Sequence, residues 1–191
     1  DVFIGNGCSI GMGVKIGKGS IIKNNVSISN AIIGAKVIIS ENTTIGSTGF
    51  GFSLENFGSN NIHPHIGIVH IEDNVRVGAN CTIDRGKIDI TSIGKNSMLD
   101  NQIHIAHNVQ IGNNACIAGQ CGISGSTKIG NNVIMGGQVG IAGHINIGDN
   151  VIIAGKSGVT KNINSNTNVA GFPAIDIKEW KLNIINERRK K

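Results

Sequence analysis

The sequence predicts an all-β chain wound into a triangular parallel solenoid that ends in one short α-helix. Three observations predict it. Apolar residues recur at every sixth position, Gly and Asn fill the turn slots behind them, and the slots between are small or β-branched. With 28 Gly, two Pro and 3% aromatic residues among 191, the composition alone would also suit flexible low-complexity chain. The regular spacing of Ile and Val selects ordered turns and strands instead.

The first run of sixth positions is Ile4, Ile10, Ile16, Ile22 and Ile28, continuing after a one-residue slip at Ile33, Ile39 and Ile45. Ile71, Val77 and Ile83 form a second run. The third is unbroken from Ile93 through Leu99, Ile105, Ile111, Ile117, Ile123, Ile129, Met135, Ile141, Ile147 and Ile153 to Val159. Gly often follows the apolar residue, as in Ile111-Gly112, Ile129-Gly130 and Ile147-Gly148. Gly and Asn permit the positive φ of a tight corner, while β-branched residues suit a short strand. A period of six fits neither an amphipathic helix nor strand alternation. It fits a coil with one flat wall per hexad, so that three hexads, 18 residues, complete a turn. Coils stack ~4.8 Å apart, and each buries its apolar knob on its neighbours, so no coil is stable alone.

Two interruptions break the count. Residues 47–67, with Phe50, Phe52, Phe57, His63, Pro64 and His65, read as a loop ejected from the solenoid, and residues 84–92 as a second insertion. Loops on a rigid scaffold are favoured places for ligand contacts. The hexads end at Val169-Ala-Gly-Phe-Pro-Ala174, after which Ile177, Trp180 and Ile184 recur at helical spacing. That helix caps the open coil edge or docks a partner. The chain thus divides into a solenoid over 1–170 and a helical extension over 171–191.

The net charge of +5, concentrated in Glu187-Arg-Arg-Lys-Lys191, suits acidic partners. Nucleic acid is excluded, since no basic stripe interleaves with aromatics and no helix-turn-helix or zinc-finger spacing occurs. The cysteines follow neither zinc-site nor disulfide-framework spacing. Cys8, Cys81 and Cys121 fall on the small inward slot, which fits buried thiols in a reducing cytoplasm. No apolar run is long enough to span a membrane and no signal peptide is visible. Because Asp1 already lies inside the repeat, the natural N-terminus is expected upstream.

The chemistry concentrates in Asp100-Asn-Gln-Ile-His-Ile-Ala-His-Asn-Val-Gln-Ile-Gly112. His107 occupies a corner slot, aimed outward and exposed. One coil later stands Gly125 and another coil on Gly143, followed by His144. A base beneath an unobstructed glycine N–H is what acyl transfer requires, the first for the attacking group and the second for the oxyanion. His104, His63, His65 and His70 are assigned no catalytic role.

The repeat itself resembles the hexapeptide-repeat family, which implies a left-handed parallel β-helix. Gly49-Phe-Gly-Phe52, Ile83-Asp-Arg-Gly86, Leu99-Asp-Asn-Gln102, Ile105-Ala-His-Asn108, Gly143-His144 and Gly171-Phe-Pro-Ala174 together resemble the UDP-3-O-acylglucosamine N-acyltransferases of lipid A synthesis. The resemblance implies His107 as the general base that deprotonates the 2-amine of UDP-3-O-acylglucosamine as it attacks a (R)-3-hydroxyacyl thioester. It implies Gly125 as oxyanion donor, with His144 and Gly143 along the donor groove and Phe50, Phe52 and Asn101 as substrate contacts. Asp100 matches the family's carboxylate and is expected to orient His107 across a subunit interface, since it sits on another wall of the coil.

The same resemblance implies a cytoplasmic homotrimer of a Gram-negative bacterium. The donor is an acyl carrier protein bearing its own 4'-phosphopantetheine, so no bound cofactor is implied. Zinc, held by three histidines in some hexapeptide-repeat enzymes, is not expected, because no third histidine follows His144. Nothing here corresponds to the family's N-terminal uridine-binding domain, so the chain reads as a fragment. Gly155 and Gly158 are expected at the far end of the acyl groove, which suits a long chain. Two alternatives remain. One is the sister O-acyltransferase acting on UDP-N-acetylglucosamine, which carries an acid where Asn108 stands; the other is a non-catalytic trimeric solenoid.

Overall fold

A computed structural model describes residues 1–51 and 63–189 of the chain. Among the described residues, 25 short strands precede a single α-helix. The strands form three walls of ten, eight and seven strands. Pairing within the walls is parallel up to the last strand and in step with the repeat: Met98, Cys116, Ile134 and Ile152 stack on the first wall. His104, Gly122, Gly140 and Gly158 stack on the second, and Gln110, Lys128 and Asn146 on the third.

Each hexad yields a two-residue strand with one residue out and one in. The inward series from Ile22 to Val159 is buried, with Ile105 and Ile83 0% exposed, and it makes one continuous core. Ile4 and Ile10 keep 48% and 38% exposure because no coil covers them from below. Corners are turned by residues in the left-handed region, such as Asn114, Asn132 and Asn150 at φ 58°, 57° and 56°. Asn tolerates that conformation because its short amide bonds locally. Here the amides also bond between coils, Asn114 to Asn132 at 3.0 Å and Asn132 to Asn150 at 2.9 Å. Cys81 and Cys121 stack inward as expected, and burial pushes both thiols up. Cys8 is half-buried and Cys116 faces outward.

The slip after Ile28 is absorbed at Asn30, φ 47°, whose amide bonds Gly46 O at 3.2 Å. In the first insertion, Phe52 and Phe57 lie outside the described residues. Its flanks, Gly49–Gly51 and 63–67, lie against the coil that carries His107. The second insertion begins where the pairing of Thr82–Asp84 shifts register after Ile83. At the far end the strand Ile175–Asp176 turns antiparallel onto Val169 and Ala170. Asp176 then caps the helix Ile177–Arg189, its carboxylate accepting the Lys178 N–H at 2.8 Å. Trp180 packs beside Gly171, while Leu182 and Ile185 remain exposed. No helix among the described residues is long and apolar enough to cross a membrane.

Candidate active site

The outward strip of the second wall changes character at His104. Below it stand Ser27, Thr44 and Thr82; above it stand Gly122, Gly140 and Gly158. A Cβ added to Gly122 or Gly140 would meet nothing within 4 Å, so these glycines leave an open channel. The channel is a groove of about 510 Å³ running from Phe50, His104 and His107 along Gly122 and Gly140 to Phe172, whose ring lies against Gly158.

At the corner bordering this groove, His107 is half-buried rather than exposed, because Gly49 packs on its ring and His65 approaches it edge-on. Its Nδ1 lies 3.1 Å from Asn108 Oδ1. The same Oδ1 accepts the Lys87 N–H at 2.9 Å, which fixes that atom as the oxygen, and the Asn108 N–H bonds Thr91 Oγ1 at 2.9 Å. An amide oxygen only accepts, so Nδ1 carries the proton and Nε2 presents its lone pair.

Gly125 lies directly over the ring. A Cβ there would stand 2.7 Å from His107 Cε1 and 2.8 Å from Nε2. At the equivalent slots of another corner, the N–H groups of Lys95, Asn113 and Asn131 are taken by side-chain oxygens of Asn113, Asn131 and Asp149 one coil on. Above His107 the corresponding residues are Gly125 and Gly143, which offer no such oxygen. Among the described residues no protein group accepts the Gly125 N–H. An imidazole nitrogen with a free lone pair and an unbonded N–H therefore lie at the same end of an apolar groove.

His107, Gly125 and Phe50 come together here. Gly143 continues the corner column, and His144 beside it is exposed at φ 60°, its N–H on Gly125 O at 3.0 Å. Asp100 and Asn101 lie at a different corner of the chain. Asp100 Oδ2 accepts the Gly119 N–H at 3.1 Å, and Asn101 Oδ1 accepts the Ala79 N–H at 2.7 Å. Within one chain neither is brought to His107. Gly155 is not at the groove's far end: it lies on the corner of Gly119 and Gly137, because it stands three residues before Gly158, the slot that faces outward on the second wall. Gly158 does line the groove.

Sequence reasoning passed over three features. Within the chain, Asn108 holds the His107 ring. His104 bonds Thr82 Oγ1 at 2.7 Å and stands 3.8 Å from the buried Asp84 carboxylate, itself bonded by Ser47 Oγ at 2.9 Å. These partners are 22 residues apart, because the second insertion adds four to the count. Phe172, visible only as part of a motif, ends the groove. No group of three His, Cys, Asp or Glu among the described residues is arranged to hold a metal.

Stacked hexads with a base at the corner define a class, and the comparisons agree with it. The family described as bacterial transferase hexapeptide (six repeats) matches residues 90–125, and the hexapeptide repeat of succinyl-transferase matches residues 1–30 and 68–106. Over these stretches the chain is similar to hexapeptide-repeat proteins, and its solenoid is a left-handed parallel β-helix. More particularly, it is similar to UDP-3-O-acylglucosamine N-acyltransferases. That of Leptospira biflexa is 44% identical over 89 residues, 47% of this chain and 25% of the relative. Those of Anaeromyxobacter dehalogenans and Rickettsia conorii are 38% and 48% identical, over 55% and 47% of this chain and 31% and 26% of theirs. The matched stretch thus spans between a quarter and a third of these relatives. Among solved structures, the UDP-N-acetylglucosamine acyltransferase of Francisella novicida superposes with TM-score 0.81 at 25% identity over 93% of this chain and 65% of its own. The O-acyltransferase of Moraxella catarrhalis gives 0.74 at 29% identity over 100% and 71%.

Proposed function

We propose that the chain carries the acyl-transfer site of a lipid A acyltransferase. It moves a (R)-3-hydroxyacyl group from acyl carrier protein to the 2-amine of UDP-3-O-acylglucosamine. The observation that carries this reading is His107, its Nε2 free, packed beneath the unbonded Gly125 N–H at the mouth of an apolar groove. The amine attacks the thioester carbon while Nε2 takes its proton, and Asn108 holds the imidazolium through Nδ1–H. Gly125 stabilises the oxyanion. Collapse expels the phosphopantetheine thiolate, which recovers the proton from His107, leaving an amide and a free thiol. The acyl tail lies along Gly122 and Gly140 toward Phe172.

Solved neighbours act on UDP-N-acetylglucosamine, whereas the curated relatives are N-acyltransferases at 38–48% identity. Both share the coil, so shape does not separate them; the higher identity and the neutral Asn108 favour the amine acceptor. Supplying a hydroxyacyl carrier protein with both acceptors tests this. Acylated UDP-3-O-acylglucosamine is expected. Transfer only to UDP-N-acetylglucosamine replaces the reading with its sister, and transfer to neither supports the non-catalytic solenoid.

Met98, Ile134 and Ile152, 51%, 47% and 44% exposed, form with Cys116 an apolar stripe on the first wall. Threefold closure would cover such a stripe. In that homotrimer Asp100 and Asn101 belong to a corner facing a neighbouring His107. A cytoplasmic setting follows from the carrier-protein donor. The exposed Lys178, Lys181 and Arg188 supply attraction for that acidic protein; Lys190 and Lys191 lie outside the described residues. Neutralising the three is expected to raise donor KM at low salt and to flatten its salt dependence. An unchanged KM at every ionic strength removes this role.

Two further outcomes follow from the geometry. Asn108→Leu frees the His107 tautomer and is expected to cost about tenfold in kcat/KM, the worth of one hydrogen bond of ~1–1.5 kcal/mol; wild-type kinetics would show that Asn108 does not set the ring. Gly140→Leu projects into open groove, so stability should stay within ~0.5 kcal/mol. Long-chain donors should be lost while short ones are retained. Equal loss for donors of every length would place the acyl tail elsewhere.

A further inference from the structure

His65, set aside at the level of sequence, carries an unexplained polar atom beside the base. It is 5% exposed, and its Nε2 is the only buried side-chain nitrogen or oxygen among the described residues without a hydrogen-bond partner. Its Nδ1 lies 3.0 Å from His63 O. A carbonyl only accepts, so Nδ1 carries the proton and Nε2 is a lone pair with no donor. Burying an acceptor unpaired is destabilising, and such groups persist where function uses them.

The lone pair sits beside the His107 ring, on the edge away from Nδ1. The two rings meet edge-on, centroids 5.3 Å apart at 68°. The point a Gly49 Cβ would occupy is 3.2 Å from both His65 Nε2 and His107 Cδ2. That point is also 3.1 Å from His107 Cβ, so His65 Nε2 borders the Cβ–Cδ2 edge of the ring, the edge away from the Nδ1 tied to Asn108. Gly49 and Gly51 let the backbone cover both rings; a Cβ on Gly51 would stand 2.7 Å from His65 Cε1.

We infer that His65 Nε2 is the second acceptor for the attacking nitrogen, and so a residue that selects an amine over a hydroxyl. This rests on the acyl-transfer reading above. A primary amine offers two N–H bonds. One goes to His107 Nε2 and the other to His65 Nε2, which leaves the nitrogen lone pair aimed at the thioester carbon. A hydroxyl has a single hydrogen; given to His107, it leaves His65 unpaired. A site built to bond a group discriminates strongly against the analogue lacking it. In the unliganded chain Gly49 and Gly51 cover the nitrogen, so the amine displaces that strap on binding.

The test compares His65→Leu with His65→Gln, whose amide oxygen restores an acceptor near Nε2. The leucine variant is expected to melt no lower than wild type, since an apolar group replaces an unpaired one. Its kcat/KM for the amine acceptor should fall about 10–100-fold, with donor KM unchanged and most of the loss recovered by glutamine. Calorimetric titration of the amine acceptor alone needs no turnover and keeps the two readings apart. Weaker binding to the leucine variant supports the inference even if transfer is not seen. An unchanged Kd, a lowered melting point, or equal losses for leucine and glutamine would overturn it.

Discussion

Replacing His107 by Ala is expected to lower the proposed acyl-transfer turnover roughly 10²–10⁴-fold, the usual worth of a positioned base. The residue is half-buried at a corner, outside the inward Ile series, so the solenoid keeps its melting point within ~0.5 kcal/mol. The loss should appear mainly in kcat, because Nε2 takes the proton as the bond forms. Activity within threefold of wild type, in a variant that folds normally, would remove His107 from the mechanism.

Gly125→Ala is expected to cost about 10²–10³-fold, comparable to losing an oxyanion donor. Its backbone is not in the left-handed region, so alanine suits the local fold. The obstacle is the ring beneath: the new methyl would lie 2.7 Å from His107 Cε1 and 2.8 Å from Nε2, and imidazole or corner must move. Gly143→Ala is the control. Its Cβ would meet Gly125 O at 3.1 Å and no part of His107, so the loss should be much smaller. Equal losses at the two glycines would point to general disturbance of the corner rather than to the donor above the base.

What could be read in advance followed from the repeat. In the third run the count never breaks, so the column of His107, Gly125, Gly143 and His144 could be placed from spacing, and the structure stacks it that way. The same count holds the glycine strip of the groove, yet Gly155 was assigned to it, since spacing gives a slot's coil more readily than the wall it faces. Where insertions interrupt the count, legibility ended. Asn108 owes its grip to Lys87 and Thr91 from the second insertion, and His65 reaches His107 from the first. Asp100, on another corner, accepts the Gly119 N–H of its own chain. Local spacing cannot report such contacts, because they depend on how an irregular segment folds back onto a regular one.

A structure with the acylated product bound shows whether the reacting carbonyl sits between His107 and Gly125. The amide oxygen is expected about 2.7–3.1 Å from the Gly125 N–H, the amide nitrogen beside His107 Nε2, and the hydrocarbon lying over Gly122 and Gly140 toward Phe172. A product seated instead along Gly119, Gly137 and Gly155, with the groove beside His107 empty, would contradict it.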